Sequence, residues 1–310
     1  MENTRAKTTR NSLILLMTAT IWGMAFVSQS KGMDYMHPFT FNGVRSLIGA
    51  AGILVYILIS RKIAGDKAAK LDWKLNVRAG LLCGIFLTIA STLQQFGIKY
   101  TSVGKAGFIT TLYIIFVPMF GIFLKKKVAP VVWAAAGMAA VGMYLLCMTE
   151  SLRLGAGDIM VFLCAIAFAI QIMTVDHYAE RIDGAVVSCI QFTVCGVVCC
   201  IGALIWGQPT FGQIQEGLGA LLYAGVLSCG VGYTLQIVGQ KGLNPTVAAL
   251  IMSLESVIAT ISGWISYKIG FLSTDQTLTP RQIAGCVIVF AAVILVQLPS
   301  EWFRFGKKNA

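Results

Sequence analysis

Residues 92–99 read TLQQFGIK, and residues 234–241 read TLQIVGQK, 142 positions later. Thr, Leu, Gln, Gly and Lys recur in register, and each copy sets a glutamine in the middle of apolar sequence. The match runs on at the same offset, pairing Ala106 with Ala248, Leu112 with Leu254 and Gly121 with Gly263. Gly137 and Gly285 pair at an offset of 148, and a weaker register at 146 sets Trp22 against Phe168 and Arg45 against Gln191. The chain therefore reads as two copies of one unit, residues 1–149 and 150–310.

Composition says where such a unit lives. Hydrophobic residues make up 57% of the 310 and charged residues 12%, against roughly a quarter charged in soluble domains. One soluble core could not hide that much apolar surface, whereas a bilayer accepts it provided that backbone polar groups are paired internally. Ten segments have the roughly 17–25 apolar residues that a spanning helix needs. They are 11–29, 39–60, 79–99, 103–124, 129–148, 157–178, 185–206, 217–239, 246–267 and 280–298. Arg5, Lys7 and Arg10 precede the first, but no A-x-A cleavage site follows, so it reads as a retained helix. Long unbroken runs are not the short alternating strands of a β-barrel. The expected fold is all-α, with ten transmembrane helices.

Five spans per unit is an odd number, so the second unit must enter the membrane from the opposite side. The two units are expected to be inverted repeats, an arrangement that places a substrate site between them near mid-membrane. Basic residues orient the chain. With the N-terminus inside, seventeen lie in inner connections, including Arg61, Lys62, Lys125, Lys126 and Lys127, against six in outer ones. Both termini are expected in the cytoplasm, with the protein in the plasma (inner) membrane. The net charge of +11 reflects these loops and gives no basic run for nucleic acid.

These features resemble the drug/metabolite transporter superfamily of the EamA type. The markers are Trp22-Gly23, Pro38-Phe39 leading to Arg45, KAGFITTLYIIFVPMFG at 105–121 and Ser253-Leu254-Glu255. Where that family often closes its fourth and ninth spans with Leu-Gly-Glu, this chain has Leu124-Lys125-Lys126 and a longer connection from Tyr267 to Thr279. Ser256 stands where the family often has Pro. The resemblance implies two five-helix repeats and a secondary transporter of amino acids or related metabolites, with export the expected direction.

Ionisable groups at membrane depth are costly and therefore candidates for function. Glu255 falls about ten residues into the ninth span, at the position equivalent to Tyr113, and reads as a cation or proton site, or as a structural carboxyl. Arg45 reads as a clamp for a substrate carboxylate or phosphate, or as a side chain that snorkels to the headgroups. Trp22, Asn42, Gln94, Gln95, Gln171, Gln191 and Gln236 complete the candidate binding set, although amides also serve as bonds between helices. The expected partners are a small-molecule substrate, protons as a coupling ion, and membrane lipid.

No cofactor or metal motif is present. The nine cysteines have no CxxC or Cys/His spacing and read as small apolar residues. His37 and His177 fall on opposite sides, which argues against the alternative of a lipid-modifying enzyme. A channel would need a ring of charges or a filter segment, and a nucleotide-driven pump a P-loop; the sequence has neither.

Overall fold

In a bilayer the orphan N–H groups at each helix start need partners, because lipid offers none. The short connections supply them. In the computed structural model, Asp72 accepts from the Leu75 N–H at 2.9 Å, and Ser102 from the Lys105 N–H at 3.4 Å. Asp183 accepts from Ala185 and Val186, and Asn244 from Thr246. Each such cap stabilises its helix by about 1 kcal/mol. Pro38, Pro130, Pro245 and Pro280 open helices at first positions, where a missing N–H costs nothing.

The structure describes residues 2–65, 71–124, 130–147, 155–273 and 275–297. Among the described residues fourteen α-helices follow in order: α1 (Glu2–Gly32), α2 (Pro38–Ala64), α3 (Trp73–Ile98), α4 (Val103–Thr111), α5 (Tyr113–Phe123), α6 (Pro130–Cys147) and α7 (Ala156–Tyr178). Then come α8 (Gly184–Gly202), α9 (Phe211–Glu216), α10 (Leu218–Leu222), α11 (Tyr233–Gln240), α12 (Pro245–Met252), α13 (Leu254–Lys268) and α14 (Pro280–Gln297). No strand occurs among the described residues. Among the described residues, eight helical stretches are long and apolar enough to cross a membrane. The fifth and tenth expected spans correspond to shorter apolar helices, Pro130–Gly142 and Pro280–Leu295. The protein is a multi-pass integral membrane protein. Lys125, Lys126 and Lys127 lie outside the described residues.

Four of the expected spans are not uniform helices; the seventh ends in a π-helical turn over Ala203–Gly207. The fourth breaks at Leu112 and the ninth at Ser253, the junctions of α4 with α5 and of α12 with α13. Near both, hydroxyls bond back into their own helix: Thr111 Oγ1 to the Phe108 carbonyl at 2.8 Å, Ser253 Oγ to Leu250 at 2.7 Å. Such back-bonding competes with the regular ladder and bends helices. Pro118, inside α5, has no N–H to give. In the eighth span the ladder loosens instead into a π-helix over Tyr223–Gly232.

The main helix pairings join the first half of the chain to the second: α2 with α8, α6 with α14, α3 with α7, and α1 with α13. Glycines let some of them approach closely. A Cβ at Gly97 would meet the Gly157 carbonyl at 2.8 Å, and one at Gly157 would meet that of Gly97 at 2.9 Å. Besides the main core, two smaller apolar clusters pack between helices. One gathers Phe26, Ile98, Val103 and Ala259, the other Ala79, Val175, Val187 and Ile237.

Candidate functional site

Within the main apolar core, among Leu87, Phe168, Phe192 and Tyr233, the helices leave a narrow cavity of about 30 Å³. Eight of the ten candidate residues line it: Trp22, Asn42, Arg45, Gln94, Tyr113, Gln171, Gln236 and Glu255. Two do not. Gln95 is wholly buried beside the cavity and donates to the Gln29 carbonyl at 3.2 Å. Gln191 sits behind Gln171, whose Nε2 donates to Gln191 Oε1 at 3.5 Å. Both amides face neighbouring helices because a helix presents adjacent residues about 100° apart, which a linear repeat match does not resolve.

Tyr113 opens α5 and Glu255 falls in the first turn of α13, each just past its helix break. The Tyr113 hydroxyl donates to Glu255 Oε1 at 3.0 Å. Positions equivalent in the two copies thus touch each other at the cavity wall. Gly23 brings α1 against this point, since a Cβ there would lie 2.7 Å from the Glu255 carbonyl oxygen.

Arg45 lies deep in α2 with 5% of its surface exposed, which rules out snorkelling to the headgroups in this conformation. Its Nε donates to Asn42 Oδ1 at 2.9 Å, and its guanidinium stands 5.5 Å from the Phe41 ring. Among the described residues the ion pairs are Lys31–Asp34 and Lys105–Asp158, so neither Arg45 nor Glu255 has a charged partner. Burying an unpaired ion costs several kcal/mol. The cavity holds two ionisable groups of opposite type, with Tyr233 within electrostatic reach of both.

The remaining wall combines aromatic rings with open hydrogen-bonding atoms. Tyr233 packs against Trp22 at 4.5 Å and Phe192 at 5.0 Å between ring centroids. Trp22 Nε1, Gln29 Oε1 and Gln236 Oε1 are buried cavity-wall atoms without a protein partner, one donor and two acceptors. Buried polar groups nearly always have partners, so these three atoms are open to water or a polar solute. Gln236 Nε2 reaches Gln171 Oε1 at 3.2 Å, which holds both amides in place.

Sequence reasoning missed Gln29, Ser46, Ser91, Ser228, Cys229 and Tyr233 on the wall. Ser228 and Cys229 lie in the π-helical turn, which re-aims side chains in a way that regular helical spacing does not anticipate.

The EamA-like transporter family model matches the chain twice, over residues 10–148 and 155–298. The chain belongs to the EamA-like transporter family. An uncharacterized transporter of Archaeoglobus fulgidus is 27% identical over 290 residues, covering 92% of this chain and 84% of the relative. The uncharacterized transporter YwfM of Bacillus subtilis is 25% identical over 290 residues, 92% of this chain and 93% of the relative. A solved crystal structure superposes with a TM-score of 0.73 at 16% identity, covering 96% of this chain and 99% of the other, which shows a shared fold. Membership of a transporter family implies a small-molecule substrate.

Proposed function

We propose that this EamA-like protein is a secondary transporter that moves a small organic metabolite, an amino acid or a related solute, by alternating access. The observation that carries the reading is Arg45 and Glu255 on one buried cavity wall, neither with a charged partner. Arg45 binds the substrate's carboxylate or phosphate through its planar fork. Glu255 binds a cationic group or carries the coupling proton, with Tyr113 holding its carboxyl in position. The aromatic wall of Trp22, Phe192 and Tyr233 takes the apolar part of the solute. Export is the direction expected.

Alternating access calls for two units that rock against each other, and residues 1–149 and 150–310 are the units proposed, as inverted five-helix repeats. The two successive family matches support that division. The helix pairings fit an inverted two-fold relation: α2 with α8 and α6 with α14 join equivalent helices, and the contact of α3 with α7 mirrors that of α11 with α1. Charge asymmetry supports cytoplasmic termini, and the plasma membrane is the expected location.

Reconstituted vesicles given a metabolite panel, with and without a pH gradient, test the reading. Saturable flux of a zwitterionic or anionic metabolite supports it; no flux of any panel member under either condition counts against it. For topology, single cysteines introduced at Lys74 and Asp275 in a background without reactive native thiols are expected to react with an impermeant reagent from opposite sides. Labelling from one side would overturn the ten-span arrangement.

A further inference from the structure

Cys195 and Cys199 stand four residues apart on α8, hence on one face of the helix. Both thiols turn toward α2, where the Asn42 amide reaches Cys199 Sγ at 3.3 Å and Cys195 Sγ at 3.9 Å. Ser46 donates to Cys195 Sγ at 3.4 Å, and the Ser91 hydroxyl lies 3.4 Å from the same sulfur. Thr92 lies 3.4 Å from Cys199 Sγ. Two sulfurs are thus ringed by hydroxyl and amide groups, an unusual setting for thiols that merely fill space. Neutral thiols are weak acceptors, whereas thiolates take such bonds strongly.

Asn42 and Ser46 also line the cavity, so the sulfurs lie one side-chain layer behind its wall. The neighbouring Arg45 is within electrostatic reach of Cys195 and has no carboxylate partner among the described residues. From this arrangement we propose that Cys195 and Cys199 form a two-coordinate site for a soft monovalent cation of the copper(I) or silver(I) kind. Such ions prefer thiolate ligands. Two S–H bonds break and two metal–sulfur bonds form, and the two protons leave through the cavity to solvent. No electron is transferred. The bis-thiolate complex carries one negative charge, and the Arg45 guanidinium carries one positive. The occupied site is therefore neutral overall, as a buried site in a membrane protein favours. This site is independent of the organic substrate's identity.

The test uses purified full-length protein in detergent with one equivalent of silver(I) and an excess of a monothiol competitor, so that single cysteines cannot hold the ion. Native mass spectrometry reads the bound metal. Wild type is expected to retain one ion, and Cys195→Ser or Cys199→Ser to retain at least about tenfold less, since the second thiolate acts at high effective concentration. Cys229→Ser and Cys83→Ser are expected to retain it as wild type does. Arg45→Gln is expected to weaken retention and Arg45→Lys to preserve it, because the argument needs the charge and not the fork. Cys195→Ala and Cys199→Ala stand in where a serine variant fails to fold. Loss of the ion from wild type to the competitor, or full retention in a folded Cys195 or Cys199 variant, overturns the proposal.

Discussion

The two broken helices are alike in shape and different in chemistry. α4 gives way to α5 at Leu112, and α12 to α13 at Ser253, at almost equivalent positions in the two copies. Past the break, the first copy presents Tyr113 and the second Glu255, and the two meet at 3.0 Å. The repeat fixes where a polar group is displayed, and the individual residue then decides whether it can carry charge. Other equivalent positions diverge the same way. Gln94 donates to the Thr110 hydroxyl beside it, whereas Gln236 reaches across to Gln171. The two breaks supply neighbouring polar positions on the cavity wall, and the residue at each gives it a different chemistry.

Arg45 is the strongest asymmetric feature, because its counterpart in the 146 register is the neutral Gln191. Arg45→Lys keeps the charge and loses bidentate geometry. Charge-assisted hydrogen bonds contribute about 1.5–3 kcal/mol, so apparent affinity in vesicle flux is expected to fall by at least about tenfold. Wild-type affinity and rate would return Arg45 to a structural role.

Glu255→Gln makes the two breaks alike in charge. Glutamine is nearly isosteric with the neutral acid, so folding is expected to survive while the dependence of flux on the pH gradient disappears or substrate binding is cut. Identical rates and pH profiles in the two proteins would remove Glu255 from the transport cycle. Tyr113→Phe is expected to be milder, slowing flux by about two- to fivefold, as for one hydrogen bond of about 0.5–1 kcal/mol. If the two residues act as a pair, Tyr113→Phe should add little to Glu255→Gln; additive effects would show that they act separately.

The all-helical, multi-pass character and the family were legible because they depend on apolar run length and on short patterns such as KAGFITTLYIIFVPMFG, both of which survive in a linear string. Eight candidates line the cavity, because polar residues set inside apolar runs turn toward the protein interior. Facing was not legible: Gln94 lines the wall and Gln95 does not, a distinction set by helix rotation and by neighbours. Breaks and the π-helical turn were also invisible, since Thr111, Ser253 and the Tyr223–Gly232 segment carry no unique local signal. A hydroxyl that bonds back into its own helix looks in sequence like one that does not.

The smallest expected effect concerns the helix caps that open the second span of each copy. His37 and Asp183 are equivalent in the 146 register, and each caps its helix. The Phe39 N–H reaches His37 Nδ1 at a long 3.4 Å, whereas Asp183 accepts two N–H groups at 2.9 and 3.2 Å. Burial and the nearby Lys99 charge hold the His37 imidazole below its ordinary range. An unfolded chain therefore binds a proton at His37 more readily than the folded one, and stability from this group is lost as pH falls through the ordinary imidazole value toward the lower folded one. His37→Asp copies the twin. It removes that acid sensitivity, strengthens the cap and places an anion at a helix N-terminus beside Lys99. Tm at neutral pH is expected to rise by about 2–4 °C, for a gain of up to about 1 kcal/mol. The drop in Tm from pH 7 to pH 5 is expected to become shallower. The pH profile of flux is expected to stay as in wild type, because His37 lies outside the cavity wall. A flux profile that flattens in His37→Asp and persists in Glu255→Gln would move proton sensing from the second copy to the first, reversing the division of labour between them.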